Sequence, residues 1–461
     1  MRLVGTGAID GQGSVWWSRY KAGSKAERPD LLFISRCNGM ELGGIQVRNP
    51  PMFHMNIKDL AGAWIHDIST STPYNSPNTD SLHLTRTTDV LVEDYLSHGG
   101  EHVSHGGGLV SHGGGLVSHG GDDNVSIVGG CRNITIRNVV ATAGHGISIG
   151  SLGIDGSMAC VSDIRVQNVQ LAALSNGLRI KTYQGGQGAV WNIHYENVTM
   201  QDVKYPIIID QYYCDKSDAS ATTCLIQQSA VAIFNITYRN VQGTTNATRG
   251  ITFNCSASVP CQQIRLDNIN IDSSYPDNHS KATLKPSYVN VYGLSTGKII
   301  PTVFNGTSVS GWVDAGLPVN QAANFMSQVA KCGVVQPWTF SPPPPSPPPS
   351  PPPPPPPSPP PSPPPRPPPM PPPRPPPSPP PALPPPPLPP PSPPPPPPLP
   401  PPSPPPSPPA IPPPPPAASS INAHTPSTST PILLIYSFPL SSSSFLVKLP
   451  YSCRATTAII Y

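Results

Sequence analysis

The chain has 461 residues, 74 of them proline, and most of the prolines lie between residues 341 and 416. No acidic residue follows position 341, and the part before it carries 23 basic against 24 acidic side chains. This near-neutral part gives no basis for nucleic-acid binding, and no apolar stretch suits a membrane span. Composition predicts a folded module over residues 1–340, a proline-rich extension over 341–416 and a disordered tail over 417–461.

Six segments of the module share a polar residue, alternating apolar positions and, in most of them, a following Asn-Val or Asn-Ile. They begin at Asp89, Asn133, Asp163, Asn192, Asn235 and Gln263, so that successive starts are 44, 30, 29, 43 and 28 residues apart. Period-2 alternation predicts strands with one buried face, and quasi-regular recurrence predicts stacked coils. We therefore predict an all-β fold, a right-handed parallel β-helix, with Gly and Asn at corners that need positive φ. A β-sandwich, the alternative, would place its strands about 8 to 12 residues apart.

A heptapeptide repeat interrupts this pattern, with units such as Ser104-His-Gly-Gly-Gly-Leu-Val. Leaving out three units, residues 97–117, shortens the 44-residue interval to 23, which is one ordinary coil. We predict an inserted loop, because Val and Leu among glycines cannot fill the core of an extra coil. The histidines of the repeat could ligate a metal, but glycine-rich repeats lack the fixed geometry that a metal site requires.

Four short polar motifs follow one another along the module: Asn78-Thr79-Asp80, Gly121-Asp122-Asp123, Gly144-His145-Gly146 and Arg179-Ile180-Lys181. Neighbouring coils of a parallel solenoid lie about 4.8 Å apart. Asp122 and His145 are one coil apart in sequence, and so are Asp80 and Asp122 once the insertion is looped out. Arg179 and Lys181, two apart on a strand, project to the same side. The spacing thus predicts three carboxylates, a histidine and two cations in one groove.

Such a cluster is typical of glycosidic bond cleavage, which needs one protonated carboxyl and one ionised carboxylate. Crowded negative charges raise the pKa of at least one carboxyl and so supply the acid. The neighbouring Arg and Lys would compensate the remaining charge and could bind the carboxylate of an acidic sugar.

Cysteines and sequons indicate the secretory route. Cys214 with Cys224 and Cys255 with Cys261 form two close pairs, and the total of nine leaves one thiol unpaired. Several Asn-X-Ser/Thr sequons fall inside the strand repeat and could be corner positions instead. The eight are at Asn124, Asn133, Asn197, Asn235, Asn246, Asn254, Asn278 and Asn305. The first residues lack the apolar region of a signal peptide, so we expect that a leader and the first coils are missing.

These motifs resemble those of glycoside hydrolase family 28, the polygalacturonases, and most closely their plant-type branch. The resemblance extends to Gly7-Ala-Ile-Asp-Gly-Gln-Gly13, to Gly144-His-Gly-Ile-Ser-Ile-Gly-Ser-Leu-Gly153 and to Ile209-Asp-Gln-Tyr-Tyr-Cys214. It implies a β-helical enzyme that hydrolyses α-1,4-linked galacturonan with inversion and needs no cofactor or metal. Asp122 would be the general acid, and Asp80 and Asp123 would activate water. His145 would tune the protonation of the acid, Arg179 and Lys181 would bind a galacturonate carboxylate, and Tyr213, or alternatively Tyr212, would line the groove.

The sequence departs from the family pattern in three places. Ser81 stands where a glycine usually follows Asn-Thr-Asp, Asn124 stands where a cysteine usually follows Asp-Asp, and the insertion directly precedes the catalytic pair. An alternative is therefore a catalytically impaired structural or pectin-binding glycoprotein of the cell wall. Hydrolysis of a related backbone such as rhamnogalacturonan is a further alternative. So is a calcium-dependent lyase, although Gly-His-Gly and Arg-Ile-Lys favour a hydrolase.

The segment 341–416 is almost wholly proline with interspersed serine, which enforces a polyproline II rod of up to about 230 Å. Its composition is similar to that of hydroxyproline-rich cell-wall glycoproteins. We expect a secreted, monomeric protein of the cell wall that contacts wall polymers through the rod and pectic polysaccharide through the module. A ligand for proline-recognising domains and a passive linker are the alternatives for the rod.

Overall fold

A computed structural model of the chain describes residues 1–73, 75–99, 121–215, 229–274, 284–304 and 319–334, and the backbone of 432–437, 444–449 and 454–457. The bulk of the heptapeptide repeat, the predicted rod, Cys224 and the sequons at Asn278 and Asn305 lie outside these residues. In chain order the elements are β1 (Arg2–Gly5), β2 (Ala8–Asp10), α1 (Ser14–Lys21), β3 (Leu32–Ser35), β4 (Asn38–Gly43), β5 (Gln46–Arg48), β6 (Met55–Thr72), β7 (Leu82–Gly99), β8 (Val125–Ile127), β9 (Arg132–Thr142), β10 (Ile147–Leu152), a 3-10 turn (Ile154–Gly156), β11 (Met158–Ala172), β12 (Asn176–Tyr183), β13 (Gln187–Gln201), β14 (Tyr205–Tyr213), β15 (Ala232–Thr245), β16 (Ile251–Asn254), β17 (Cys261–Ser273), β18 (Ser287–Val289), β19 (Val291–Ile300), α2 (Val319–Lys331), β20 (Ile432–Ser437), β21 (Ser444–Leu449) and β22 (Arg454–Thr457).

The fold is a right-handed parallel β-helix, as predicted, and its coils stack along two parallel ladders. One ladder runs through short strands, from β3 and the beginnings of β6 and β7 to β8, β10, β12, β14, β16 and β18. The other runs through longer strands, from the later parts of β6 and β7 to β9, β11, β13, β15, β17 and β19. Because consecutive coils pair in parallel throughout, a side chain recurs above its counterpart in the next coil.

The Asn of the repeated Asn-Val motif forms a side-chain ladder along the long strands. Each amide nitrogen donates to the carboxyl or amide oxygen of the coil before it, from Asn138 to Asp94 at 3.1 Å, and the ladder continues through Asn168, Asn197, Asn240 and Asn268. All six residues have a positive φ of 51–55°. Asn and Asp tolerate this left-handed conformation better than other side chains with a Cβ. The motif therefore recurs because it bends the strand and links neighbouring coils.

The interior of the solenoid consists of stacked apolar side chains. One column takes a single residue from each successive coil, namely Val90, Ile134, Ile164, Ile193, Ile236 and Ile264. Each member is at most 2% exposed. β-Branched side chains suit this position because they pack well on a pleated strand surface.

In the described part of the chain, two helices flank the solenoid, and the Cys160–Cys332 and Cys255–Cys261 bridges join segments of it. Trp17 of α1 is buried and donates from its indole nitrogen to the carbonyl of Pro50 at 3.0 Å. Cys332, just after α2, is bonded to Cys160 of β11, and Cys255 is bonded to Cys261, its close neighbour in the sequence. Among the described cysteines Cys131 is free and buried. No helix in the described part of the chain has the length and apolar character needed to cross a membrane.

The predicted disordered tail contains three strands, which is where the structure differs from that prediction. β21 pairs antiparallel with β20 and with β1, and β22 pairs antiparallel with β3. The tail segments Ile432-Leu-Leu-Ile-Tyr436 and Phe445-Leu-Val447 are rich in strand-forming residues. The first coils offer unpaired strand edges, and such edges readily accept an added strand.

Candidate active site

The predicted site residues lie on the short ladder, in segments that are neighbours in space. The backbone N–H of Ser81 donates to the carbonyl of Asp123 at 2.9 Å, and that of His145 donates to the carbonyl of Asp122 at 2.9 Å. β7 pairs directly with β8 and β9, although the heptapeptide repeat separates them in sequence. The coil of Asp80 is therefore adjacent to the coil of the aspartate pair, and no coil lies between them.

Asp80 is held by a buried turn at the start of β7. Asn78 has a φ of 52°, and the hydroxyl of Thr79 lies 2.8 Å from that of Ser76. The carbonyl of Asp80 accepts from the backbone N–H of His54 at 2.8 Å, and its carboxylate oxygen Oδ2 lies 2.8 Å from Nδ1 of His83. The turn thus fixes both the backbone and one oxygen of this carboxylate.

Asp123 is the most heavily hydrogen-bonded carboxylate of the cluster. Arg179 donates to its Oδ1, and Lys181 Nζ donates to its Oδ2 at 3.0 Å. Ser148 also donates to Oδ1 at 2.7 Å and accepts from Nε of Arg179 at 2.9 Å. Both cations and Asp123 are buried. Of the three carboxylates, Asp123 is therefore the one whose charge Arg179 and Lys181 compensate.

His145 approaches the other member of the aspartate pair. Its Nδ1 lies 2.7 Å from Oδ1 of Asp122. The turn needs glycine after the histidine: Gly146 has a φ of 75°, and a Cβ there would lie 2.3 Å from the carbonyl oxygen of Asn176. Asn124 holds the same turn, because its Oδ1 accepts from the N–H of Gly146 at 2.9 Å and its Nδ2 donates to the carbonyl of Ala143 at 3.2 Å.

The two departures from the family pattern are accommodated by hydrogen bonds. The Ser81 hydroxyl lies 2.8 Å from that of Ser97, and Nδ2 of Asn124 donates to the same Ser97 oxygen at 2.9 Å. Asn124 is 2% exposed and its amide is fully engaged. Its sequon is therefore shielded in the folded chain, whereas Asn133, Asn197 and Asn235 occupy corner positions with their amides in side-chain ladders.

Aromatic side chains border the cations. Lys181 Nζ lies 5.2 Å from the ring centroid of Tyr213, and Tyr213 packs edge to face on Tyr183 at 5.2 Å. Tyr212 instead accepts with its hydroxyl from the backbone N–H of Ala257 at 3.2 Å. Of the two tyrosines considered from the sequence, Tyr213 is the one in contact with the cationic pair.

The three carboxylates sit in unequal electrostatic environments. Burial raises the pKa of Asp80 to about 6, the charges of Asp122 and Asp123 add to this effect, and the contact with His83 opposes it. Burial would also raise the pKa of Asp123, but the charges of Arg179 and Lys181 outweigh it and hold that pKa well below its usual range. The carboxyl of Asp80 is therefore protonated in mildly acidic solution, whereas that of Asp123 stays ionised.

Ligand atoms of Asp122, Asp123 and His145 lie within 4.8 Å of one another and could hold a metal ion. Two cations already neutralise Asp123, however, which lowers the attraction of the cluster for a further positive charge. A surface cavity of about 490 Å³ lies elsewhere, on the long ladder, with Asn240, Gln242 and Lys298 among its walls. Its walls, as far as the structure describes them, contain no carboxylate, so the short ladder remains the candidate active site.

Two polar residues at this site were not selected from the sequence. His83 and Ser148 belong to the same row of paired positions as Arg179, which runs across β7, β8, β10 and β12. Both alternate with buried apolar residues in their strands. Aligning the short strands coil by coil would have placed them on the face of Arg179.

A parallel β-helix that carries a cluster of carboxylates beside two cations is an arrangement suited to a glycoside hydrolase. The family described as Glycosyl hydrolases family 28 matches residues 1–104 and 114–291, which is more than half of the chain, and the chain belongs to this family. Polygalacturonase QRT2 of Arabidopsis thaliana is 33% identical over 287 residues, covering 61% of this chain and 60% of the relative.

Polygalacturonase-2 of Solanum lycopersicum is 35% identical over 292 residues, covering 62% of this chain and 58% of the relative. The chain thus spans about 60% of the length of these curated relatives. Among solved structures, a polygalacturonase from Erwinia carotovora ssp. carotovora aligns with a TM-score of 0.47 at 22% identity, over 64% of this chain and 72% of that one.

Proposed function

We propose that the chain is a polygalacturonase that hydrolyses α-1,4-galacturonosyl linkages of pectin with inversion. The observation that carries this proposal is the convergence of Asp80, Asp122 and Asp123 from adjacent coils, with Asp123 paired to Arg179 and Lys181. Membership of family 28 and the names of the plant relatives support it. The chemistry is metal-independent acid–base catalysis by carboxyl groups.

Asp122 acts as the general acid. Its side chain is 19% exposed, against 6% for Asp80 and 3% for Asp123, so it is the carboxyl that most readily reaches a leaving oxygen. His145, hydrogen-bonded to Asp122, tunes its protonation. Asp80 and Asp122 repel each other when both are ionised, so when Asp80 is ionised as a base the proton shared by this pair lies on Asp122.

Asp123 and Asp80 activate the attacking water from the other side of the bond. Asp123 is the stronger candidate for the ionised base because two buried cations stabilise its charge. Arg179 and Lys181 have further N–H groups beyond those that contact Asp123, and these bind the carboxylate of the galacturonate residue. Tyr213 lines the groove beside Lys181.

The test is the release of reducing ends from polygalacturonate, with the anomeric configuration of the first product followed by proton NMR. We expect an inverted product and a loss of at least about a hundredfold in kcat for Asp122→Asn. Asp155→Asn, an exposed aspartate with a φ of 52°, is the matched control and should keep full activity. An Asp122→Asn variant as active as the wild type would reject the proposal.

The second candidate is a catalytically impaired pectin-binding or structural glycoprotein of the wall. The insertion favours it, because the repeat lies directly before the aspartate pair. Deleting residues 97–117 joins Leu96 to Ser118-His119-Gly120, which repeats the Ser97-His98-Gly99 end of β7. This candidate predicts retention on polygalacturonate without hydrolysis, and hydrolysis only after the deletion. Equal activity before and after the deletion would exclude it.

We also propose that the protein is secreted to the cell wall as a monomer and that residues 341–416 contact wall polymers. The cystine bridges and the composition of the proline-rich segment support this location. Fractionation of walls from cells that express the chain with and without residues 341–416 tests it. We expect the shorter chain to be washed from the wall at lower salt.

A further inference from the structure

His83 contacts the buried carboxylate of Asp80 and is itself clamped by an aromatic ring. Its Nδ1 lies 2.8 Å from Oδ2 of Asp80. Its ring stacks on Phe53, with centroids 4.6 Å apart and planes inclined by 13°. The side chain of His83 is 18% exposed and that of Asp80 is 6% exposed. The imidazole therefore has little freedom to rotate away from the carboxylate.

This contact determines how each oxygen of Asp80 is used. When Asp80 is ionised its carboxylate can only accept hydrogen bonds, so Nδ1–H of His83 is then the donor to Oδ2. Within the described residues no protein group donates to Oδ1 of Asp80. Oδ1 is therefore the oxygen that remains for a water molecule.

The surroundings of Asp80 also set its charge. Asp122 and Asp123 face it from the next coil, and both disfavour its ionised form. His54 bonds its carbonyl, and the buried Tyr95 of β7 lies near it. His83, which faces Asp80 and lies near Asp30, is the neighbour that favours ionisation. Removing His83 would leave the repulsion of the two aspartates unopposed.

We propose that His83 is a positioning residue that keeps Asp80 ionised and reserves its Oδ1 for the attacking water. The proposal rests on the hydrolysis proposed above. The imidazole does not touch the reacting atoms, and its effect passes through Asp80. A purely structural histidine at this position would change stability without moving the pH dependence of catalysis.

The test compares the pH profiles of kcat/KM on polygalacturonate for the wild type, His83→Leu and His83→Asn. Leu removes the hydrogen-bond donor to Asp80, so the acidic limb should move upward by about one pH unit and kcat should fall about tenfold or more. Asn keeps an N–H close to the position of Nδ1, so the acidic limb of His83→Asn should lie between those of the wild type and His83→Leu. KM should change less than kcat in both variants.

The chain supplies a matched control in His66. This histidine also stacks on an aromatic ring, with its centroid 3.9 Å from that of Trp64, and also contacts a carboxylate, Asp67, at 2.8 Å. It belongs to the long ladder, so His66→Leu should leave the acidic limb where it is. An active His83→Leu variant with an unshifted acidic limb would overturn the proposal.

A readout without turnover separates this proposal from the proposed function. The carboxyl carbon resonance of Asp80, identified by its loss in Asp80→Asn, reports the titration of that group by NMR. Its midpoint should rise in His83→Leu whether or not the chain hydrolyses pectin. Inactivity of the wild type would reject the proposed function alone, whereas an unchanged midpoint would reject the role of His83.

Discussion

At the scale of single residues, Asp80 of the candidate active site lowers the stability of the fold when its buried carboxylate is ionised. Its folded pKa of about 6 is above the ordinary value of 3.8, so the folded state binds the proton more tightly than the unfolded chain. Tighter proton binding by folded Asp80 adds to the free energy of unfolding; this contribution is fully present below pH 3.8 and is lost as the pH rises through about 6. At neutral pH the buried charge therefore destabilises the fold.

Asp80→Asn should consequently raise the free energy of unfolding at pH 7, by up to about 3 kcal/mol, since one pKa unit corresponds to about 1.4 kcal/mol. The gain should shrink towards pH 4, where the wild-type carboxyl is protonated. Urea unfolding at both pH values measures the difference. Asp155→Asn, at an exposed position, should show no such pH dependence, and a gain for Asp80→Asn that is equal at both pH values would contradict this account.

The sequence indicated which residues of the candidate site lie close together better than it indicated the hydrogen bonds and ion pairs between them. The order and spacing of the motifs indicated that Asp80, Asp122 and His145 occupy successive coils, because the fold repeats at a fixed interval. Ser148 and His83 were not selected, because serine and histidine in an alternating strand are common and only their contacts with Asp123 and Asp80 reveal a role. The pairing of both cations with one aspartate depends on side-chain packing that spacing alone cannot give.

At the scale of elements, the Asn ladder explains why the strand motif repeats, and it can be tested at its middle member. Asn168 donates to Asn138, accepts from Asn197 and has a φ of 55°. Ala at this position would lose both amide contacts and would adopt a left-handed conformation that costs about 1–2 kcal/mol. Gly would lose the contacts but would tolerate the conformation.

We therefore expect Asn168→Ala to be destabilised by about 2–3 kcal/mol and Asn168→Gly by about 1 kcal/mol less. Gln170→Ala, two residues further along the same strand and exposed, should change stability by less than about 0.5 kcal/mol. Chemical denaturation of the three variants measures this order. If Ala and Gly were equally destabilising, the left-handed corner would not be the reason for asparagine in the motif.

The periodicity of the sequence was sufficient to predict the solenoid and its corners, but it did not predict the elements outside the repeat. β9 and β11 are longer than the seven-residue segments predicted from Asn133 and Asp163, because the left-handed Asn lies within the strand instead of ending it. The tail strands β20, β21 and β22 were not predicted, since their partners are edges of the first coils, far away in sequence. Contacts of this kind leave no periodic signal.

At the scale of the whole molecule, stability is distributed along the solenoid, because each coil contacts mainly its neighbours. The bridge between Cys160 and Cys332 is an exception, since it closes a loop over a sequence separation of 172 residues. It holds α2 where Phe325 packs on Phe234 of β15 and Gln328 accepts from the N–H of Gly188. The bridge between Cys255 and Cys261 spans only 6 residues.

If these bridges act by restricting the unfolded chain, the longer loop should contribute more. The loop-entropy relation gives about 5 kcal/mol for the Cys160–Cys332 bridge and about 2 kcal/mol for the Cys255–Cys261 bridge. Replacing each pair by alanine and measuring urea unfolding tests this order, and the first variant should also show faster hydrogen exchange in residues 319–334. A larger loss for the shorter loop would mean that local packing around the bridges, and not the connectivity of the unfolded chain, sets their contribution.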